Sequence, residues 1–427
     1  MTDIKIQKSF GTILRDNPDI ENLAKTFPIL TGDLLKDVII PRTFDGRDQW
    51  YDYMPPVSEM LECGRGWIFA LVECLSTRYN LFTPYQRNIL LSSAEPLFCR
   101  DNNITDTDKI TITDNDSSKK FKECPLCVGS IYYGLKYLFT YGAPMTSCVI
   151  YEDFKNLNIK SACEYKSAKE VTNECDIIFT NNRTVCPSSK KAMHRFRCST
   201  FANVENNETT IMKEIYKNGP VVCSYQIFED FINEYDGKSI YKGPKEGSKL
   251  LGGNSGKIVG WGIEKDVPYW IISNSWSYGW GVEGFFKMLR GKNICQVENN
   301  IVTLYPDFAL SYTIFPDSLK ITDSTLLDLR KKIDIDPYNY YEKKTIEEIK
   351  TGRVKGNLSN FFNISQIPPI NKTNAGEIVK VPFHYIPEHT KGETHISVIL
   401  ILVLIGIILG IITGFLIYRS VDKINNQ

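Results

Sequence analysis

The residues around Gly66 constrain this chain more than any others. Cys63-Gly64-Arg65-Gly66 opens an apolar run, Trp67 to Leu75, with Val72 and small Ala70 inside it. Such a run predicts a helix that needs a core around it. The chain can supply one: it has 427 residues, of which 42% are hydrophobic and 12% aromatic. Fifty basic residues balance fifty acidic ones, for a net charge of +0. That balance offers no electrostatic footprint for nucleic acid, and none is expected as a partner. Twelve Cys point to a disulfide framework in an oxidising setting. No Cys/His pair has zinc-ligand spacing, and no metal or cofactor is expected. Cys124-Pro125-Leu126-Cys127 is a C-x-x-C without the strand before it that redox chemistry needs, which leaves disulfides as the better reading.

Along the chain, residues 1–40 begin polar and carry no charged-then-apolar leader pattern, so no cleavable signal peptide is expected. An extension packed on the domain and a short pro-like segment both stay open for this stretch. Asp101 to Lys122 is rich in Asp, Asn, Thr, Ser and Lys and is expected to be a solvated loop. Ile211 to Asn218 is amphipathic and stops at Gly219, a helix-end signal, after which a strand starts at Val221. Lys238 to Tyr241 and Gly252 to Gly262 continue the strands. Residues 307–395 lose this pattern and are expected to be a stalk or linker, with charged helical stretches at Leu326–Ile333 and Tyr341–Ile349. Ile396 to Tyr418 is apolar and uncharged. As a helix it spans a hydrocarbon core of about 30 Å, so one transmembrane helix is expected there, with the lipid bilayer as its partner and residues 419–427 as a short tail.

Several ordered motifs carry a resemblance. Pro41 to Trp50 contains Phe44-Asp45-Gly46-Arg47; Pro56-Val57-Ser58-Glu59-Met60 precedes Cys63-Gly64-Arg65-Gly66-Trp67; Leu91-Ser92 leads to Cys99. Cys127-Val128-Gly129-Ser130, Gly252-Gly253-Asn254-Ser255, Asn274-Ser275-Trp276 and Trp280-Gly281 follow in that order. From Pro41 to Pro306 the chain resembles papain-type cysteine proteases, cathepsin B-like ones best. The resemblance implies an α+β, papain-like two-lobe fold: a helical left lobe, a barrel-like antiparallel right lobe and a cleft between them, with residues 41–306 as the domain. It implies that Gly66 starts the central helix across the cleft from Asn254, and that Cys63 pairs with Cys127.

The same resemblance assigns chemistry to positions whose residues here cannot perform it. The nucleophile position is Gly66, which has no side chain to form an acyl-enzyme. The base position is Asn254, whose amide takes no proton near neutral pH. The oxyanion-donor Gln position is Met60, and a thioether donates nothing. Asn274, which in the family orients the base, is retained. Ser255 and Cys223 have no base within motif reach, and His194 stands alone in a Cys-rich segment where cathepsin B has adjacent His residues. No intact catalytic set is expected.

Three functions are weighed. The first is a membrane-anchored, catalytically inactive homologue that binds a peptide or protein in its cleft. The second is an active papain-family endopeptidase with a rearranged site. The third is a structural viral membrane or virion protein. Sequons at Asn103, Asn115, Asn182, Asn207, Asn357, Asn363 and Asn371 lean, with the twelve Cys, toward an oxidising compartment. A single-pass location in a host or virion membrane is the expectation, with its side undecided.

Overall fold

The computed structural model describes residues 10–58, 65–82, 89–99, 128–149, 186, 193–307 and 316–332. All of them fall within the first of two compact units, Met1–Ile378. Its axis is helix α2, Gly66–Phe82, in which every residue from Gly66 to Asn80 is buried. A helix with no solvent-facing side belongs inside a core, and α2 is packed accordingly. Trp67 fits against Gly129 and Gly134, where an added Cβ would lie 2.2 Å and 3.2 Å from its ring.

The charges that α2 carries inward are paired. Glu73 meets Lys257 at 2.6 Å, and Arg78 meets Glu214 at 2.9 Å. Arg78 also donates to the carbonyls of Pro220, Gly219 and Leu304 at 2.9–3.2 Å. Glu214 accepts in addition from Thr303 at 2.6 Å and Tyr305 at 3.0 Å. Buried charge is tolerated only with such partners, because desolvation otherwise costs several kcal/mol per ion.

Beside α2 lies a nine-stranded sheet. Its strands are β1 (Ile29–Leu30), β2 (Phe44–Asp45), β3 (Cys198–Val204), β4 (Val221–Phe228), β5 (Ile240–Tyr241), β6 (Leu250–Glu264), β7 (Val267–Ser273), β8 (Phe285–Leu289) and β9 (Ile301–Pro306). The order is β1-β3-β9-β4-β6-β7-β8-β5, with β2 against β6. The central pairings are antiparallel, and parallel pairs close the two ends, β1 on β3 and β5 on β8. On the helical side stand α1 (Pro18–Lys25), α3 (Ile131–Thr140) and α5 (Ser324–Lys332), with α4 (Glu208–Asn218) leading into β4. The helix–turn–strand expected from Ile211 onward is present: Asn207 caps α4, and Gly219 ends it at φ 95, a backbone conformation suited to glycine.

Both flanks of residues 41–306 make buried contacts with the domain, and on the N-terminal side this is the packed extension, one of the two alternatives left open above. Residues 10–40 are woven into the fold: Ile20 and Ala24 of α1 are fully buried, and Phe27 packs 4.5 Å from Phe201 and 5.4 Å from Tyr132. The folded body also runs past residue 306, where a stalk was expected. Leu319 and Leu326 are buried, and Arg330 reaches the carbonyls of Phe139 and Cys198 and the carboxylate of Asp307. The spacing of charge in this stretch suggested a solvated face, but these buried contacts come from only a few of its residues.

The expected transmembrane run, 396–418, lies outside the described residues. Among the described residues no helix is long and apolar enough to cross a membrane.

Candidate functional site

Gly66 is the first residue of α2, and β6 runs past this helix end. A Cβ built on Gly66 would lie 2.2 Å from Asn254 Oδ1 and 3.2 Å from the Ser255 carbonyl. The space beside Gly66 is therefore filled by the Asn254 carboxamide. Asn254 is fully buried, and its Nδ2 donates to Asn274 Oδ1 at 3.0 Å and to the Tyr225 hydroxyl at 3.3 Å. Asn274 Oδ1 also accepts from the Ser275 amide at 2.9 Å, which fixes the orientation of its side chain. Helix α2, β6 and the segment after β7 thus bring Gly66, Asn254 and Asn274 into one line. Met60, Cys63 and Cys127 lie outside the described residues.

The cluster is made of weak acids and neutral groups. Burial pushes the Tyr225 hydroxyl well above its ordinary range, so it stays protonated. Ser255 Oγ has two hydroxyl neighbours, Ser224 Oγ at 2.8 Å and Thr12 Oγ1 at 3.2 Å, and neither is a base. Cys223 is a buried strand thiol; it donates to the Gly256 carbonyl at 3.5 Å, and desolvation raises its pKa. Among the described residues no group of three or more His, Cys, Asp or Glu could hold a metal ion.

The expected disulfide chemistry is present, and several thiols of the described residues stay outside it. Cys74, Cys198, Cys223 and Cys295 are free and buried. A Cys inside an apolar core behaves as a small hydrophobe, and sequence counting cannot separate it from a paired one. Cys148 and Cys186 are bonded, with Cα atoms 4.9 Å apart; nothing in the sequence had singled out that pair.

Sequence reasoning missed a strap. Phe10 to Leu14 runs between Gly253 of β6 and Gly129, bridged to both, and touches Ser255 beside Asn254. The Thr12 amide donates to the Gly253 carbonyl at 3.1 Å, and the Ile13 amide to the Gly129 carbonyl at 2.9 Å. The Gly129 amide returns a bond to the Gly11 carbonyl at 3.0 Å. The strap therefore joins the β6 side of the cleft to the segment that leads into α3. Phe10 packs edge-on against Trp276, with ring centres 6.1 Å apart. Gly252 and Gly253 make this approach possible. A Cβ on Gly252 would lie 2.7 Å from Phe10 Cβ, and one on Gly253 2.2 Å from the Thr12 carbonyl oxygen. Five residues without a repeat, a charge pattern or a turn signal give no local sign of such a role.

The profile of the papain family cysteine proteases matches residues 144–305. "Cathepsin B-like cysteine proteinase 6" of Caenorhabditis elegans is 29% identical over 290 residues, 64% of this chain and 68% of that protein. "Cathepsin B-like cysteine proteinase 3" of the same organism is 30% identical over 276 residues, 62% of this chain and 65% of that protein. Among solved structures, "proCathepsin B S9 from Trypanosoma congolense" superposes with a TM-score of 0.54 at 20% identity, covering 71% of this chain and 88% of that one. That likeness supports the fold, with its mixed sheet and flanking helices, and the sequence matches support the family. The chain is thus similar in sequence to the cathepsin B-like members of the papain family of cysteine proteases, and it shares their fold.

Proposed function

We propose that this homologue does not hydrolyse peptides and acts by holding an extended peptide or protein segment in its cleft, tethered to a bilayer through residues 396–418. One observation carries the proposal: the Asn254 carboxamide fills the space beside Gly66 where a nucleophilic side chain would stand. With Gly66 at the nucleophile position and Asn254 at the base position, neither the thiolate nor the imidazolium of the family's chemistry is available. Met60 at the oxyanion-donor position removes a contribution typically worth a factor of about 10² to 10³. Asn274 then serves as a structural partner of Asn254. The neutral hydroxyls and amides of the cluster suit hydrogen bonding to a bound backbone.

The test is an assay of the full chain with mixed peptide substrates and a thiol-directed covalent probe. The expected outcome is no turnover and no labelling of Cys223. Turnover, or probe attached to Cys223, would show a relocated active site and overturn the proposal. Activity gained only when Gly66→Cys, Asn254→His and Met60→Gln are introduced together would support it.

A further inference from the structure

The strap contacts the cleft in two ways, and they differ in what they select. Its main-chain bonds, from Thr12 to Gly253 and between Gly11, Ile13 and Gly129, would hold an extended segment of almost any composition. The side chain of Thr12 is different. Thr12 is 1% exposed, and its Oγ1 accepts from Ser255 Oγ at 3.2 Å. Ser255 faces Ser224 across the β4–β6 ladder, their Oγ atoms 2.8 Å apart, and both residues are fully buried. Three buried hydroxyls thus form one chain running from the strap into the sheet.

Such a chain discriminates. Replacing the Thr12 hydroxyl by a methyl leaves Ser255 facing an apolar group on the strap side, and a buried hydroxyl that loses a partner is penalised. A larger side chain has no solvent to extend into, because Thr12 is buried at this position. The flanking positions take apolar side chains: Phe10 against Trp276, and Leu14, which is buried against Gly253.

We propose that the cleft selects an extended segment carrying a small hydroxyl residue opposite Ser255, with Phe and Leu two positions to either side, and that Thr12 of the chain's own strap is its resident ligand. This rests on the reading of the cleft as a peptide-holding site.

The first test is hydrogen exchange on the full chain. Thr12→Val keeps the shape and removes the hydroxyl. Exchange at the amides of residues 12, 13 and 129 should rise about fivefold, the effect of one net hydrogen bond. Amides of the β6 core such as Ile258 should be unchanged, and Thr12→Ser should restore protection. Unchanged exchange in Thr12→Val, a rise that extends to the β6 core, or Thr12→Ser exchanging as fast as Thr12→Val would each overturn the hydroxyl selection.

The second test uses the full chain carrying Thr12→Lys, in which a buried charge displaces the strap. A labelled Phe-Gly-Thr-Ile-Leu peptide should bind about fivefold more tightly than Phe-Gly-Val-Ile-Leu. Equal binding of the two would sink the selection alone and leave the peptide-holding reading standing. Absence of binding by both, with Ile13 and Gly129 exchanging fast and the core protected, would sink that reading and the selection with it.

Discussion

Asn254 takes, beside the first turn of α2, the volume that any side chain on Gly66 would need. The two positions are therefore coupled. Gly66→Ala puts a Cβ 2.2 Å from Asn254 Oδ1. The carboxamide can move away only by giving up its bond to Asn274. A destabilisation of about 1–3 kcal/mol, the usual range for overpacking, is expected in urea unfolding. In an Asn254→Ala background that penalty should vanish; additive losses in the double-mutant cycle would show the contact to be unimportant. The same coupling explains why Gly66→Cys by itself should not create a working thiol.

Cys74 makes a second prediction at this scale. Burial raises its pKa from 9.0 to about 11. Below pH 9 the thiol is protonated in both the folded and the unfolded chain, and it has no effect on the pH dependence. Between pH 9 and about 11 the unfolded chain releases the proton that the folded one keeps, so stability falls as pH rises. Cys74→Ala should flatten this alkaline slope in pH-dependent urea melts; an identical slope would refute the assignment.

The elements of the right half were legible because their signals are local. The apolar positions of α4 and its Gly219 stop, the alternation from Val221, and the glycine-rich run of β6 each report a backbone preference that packing then uses. Edge elements were less legible. Strand β1 is two residues long and pairs with β3 only through tertiary contact. Helix α5 has a charged sequence in which Leu326 and Arg330 supply the buried contacts. Its docking can be measured. A chain ending at residue 332 should unfold like the full chain. One ending at residue 306 loses the burial of Leu319 and Leu326 and should be less stable by on the order of 3 kcal/mol. Equal midpoints for the two truncations would mean that α5 adds nothing to the fold.

For the molecule as a whole, the proposed membrane tether at 396–418 predicts partition of the full chain into a detergent phase and release into the aqueous phase once residues 396–427 are removed. Equal partition of the two forms would remove the tether from the proposed function. What the sequence by itself determined was the fold class, because its ordered motifs and its helix and strand periodicity report local backbone geometry, while the resemblance singled out which residues to inspect. Gly66, Asn254 and Asn274 could be named before any coordinate was known. Only the tertiary structure decided what fills the space between them. That the carboxamide of Asn254 stands beside Gly66, that Thr12 reaches Ser255 from 243 residues away, and that four thiols among the described residues are buried unpaired all depend on contacts between segments distant in the chain. Local propensity is silent about such contacts, since they arise from the packing of whole elements around α2.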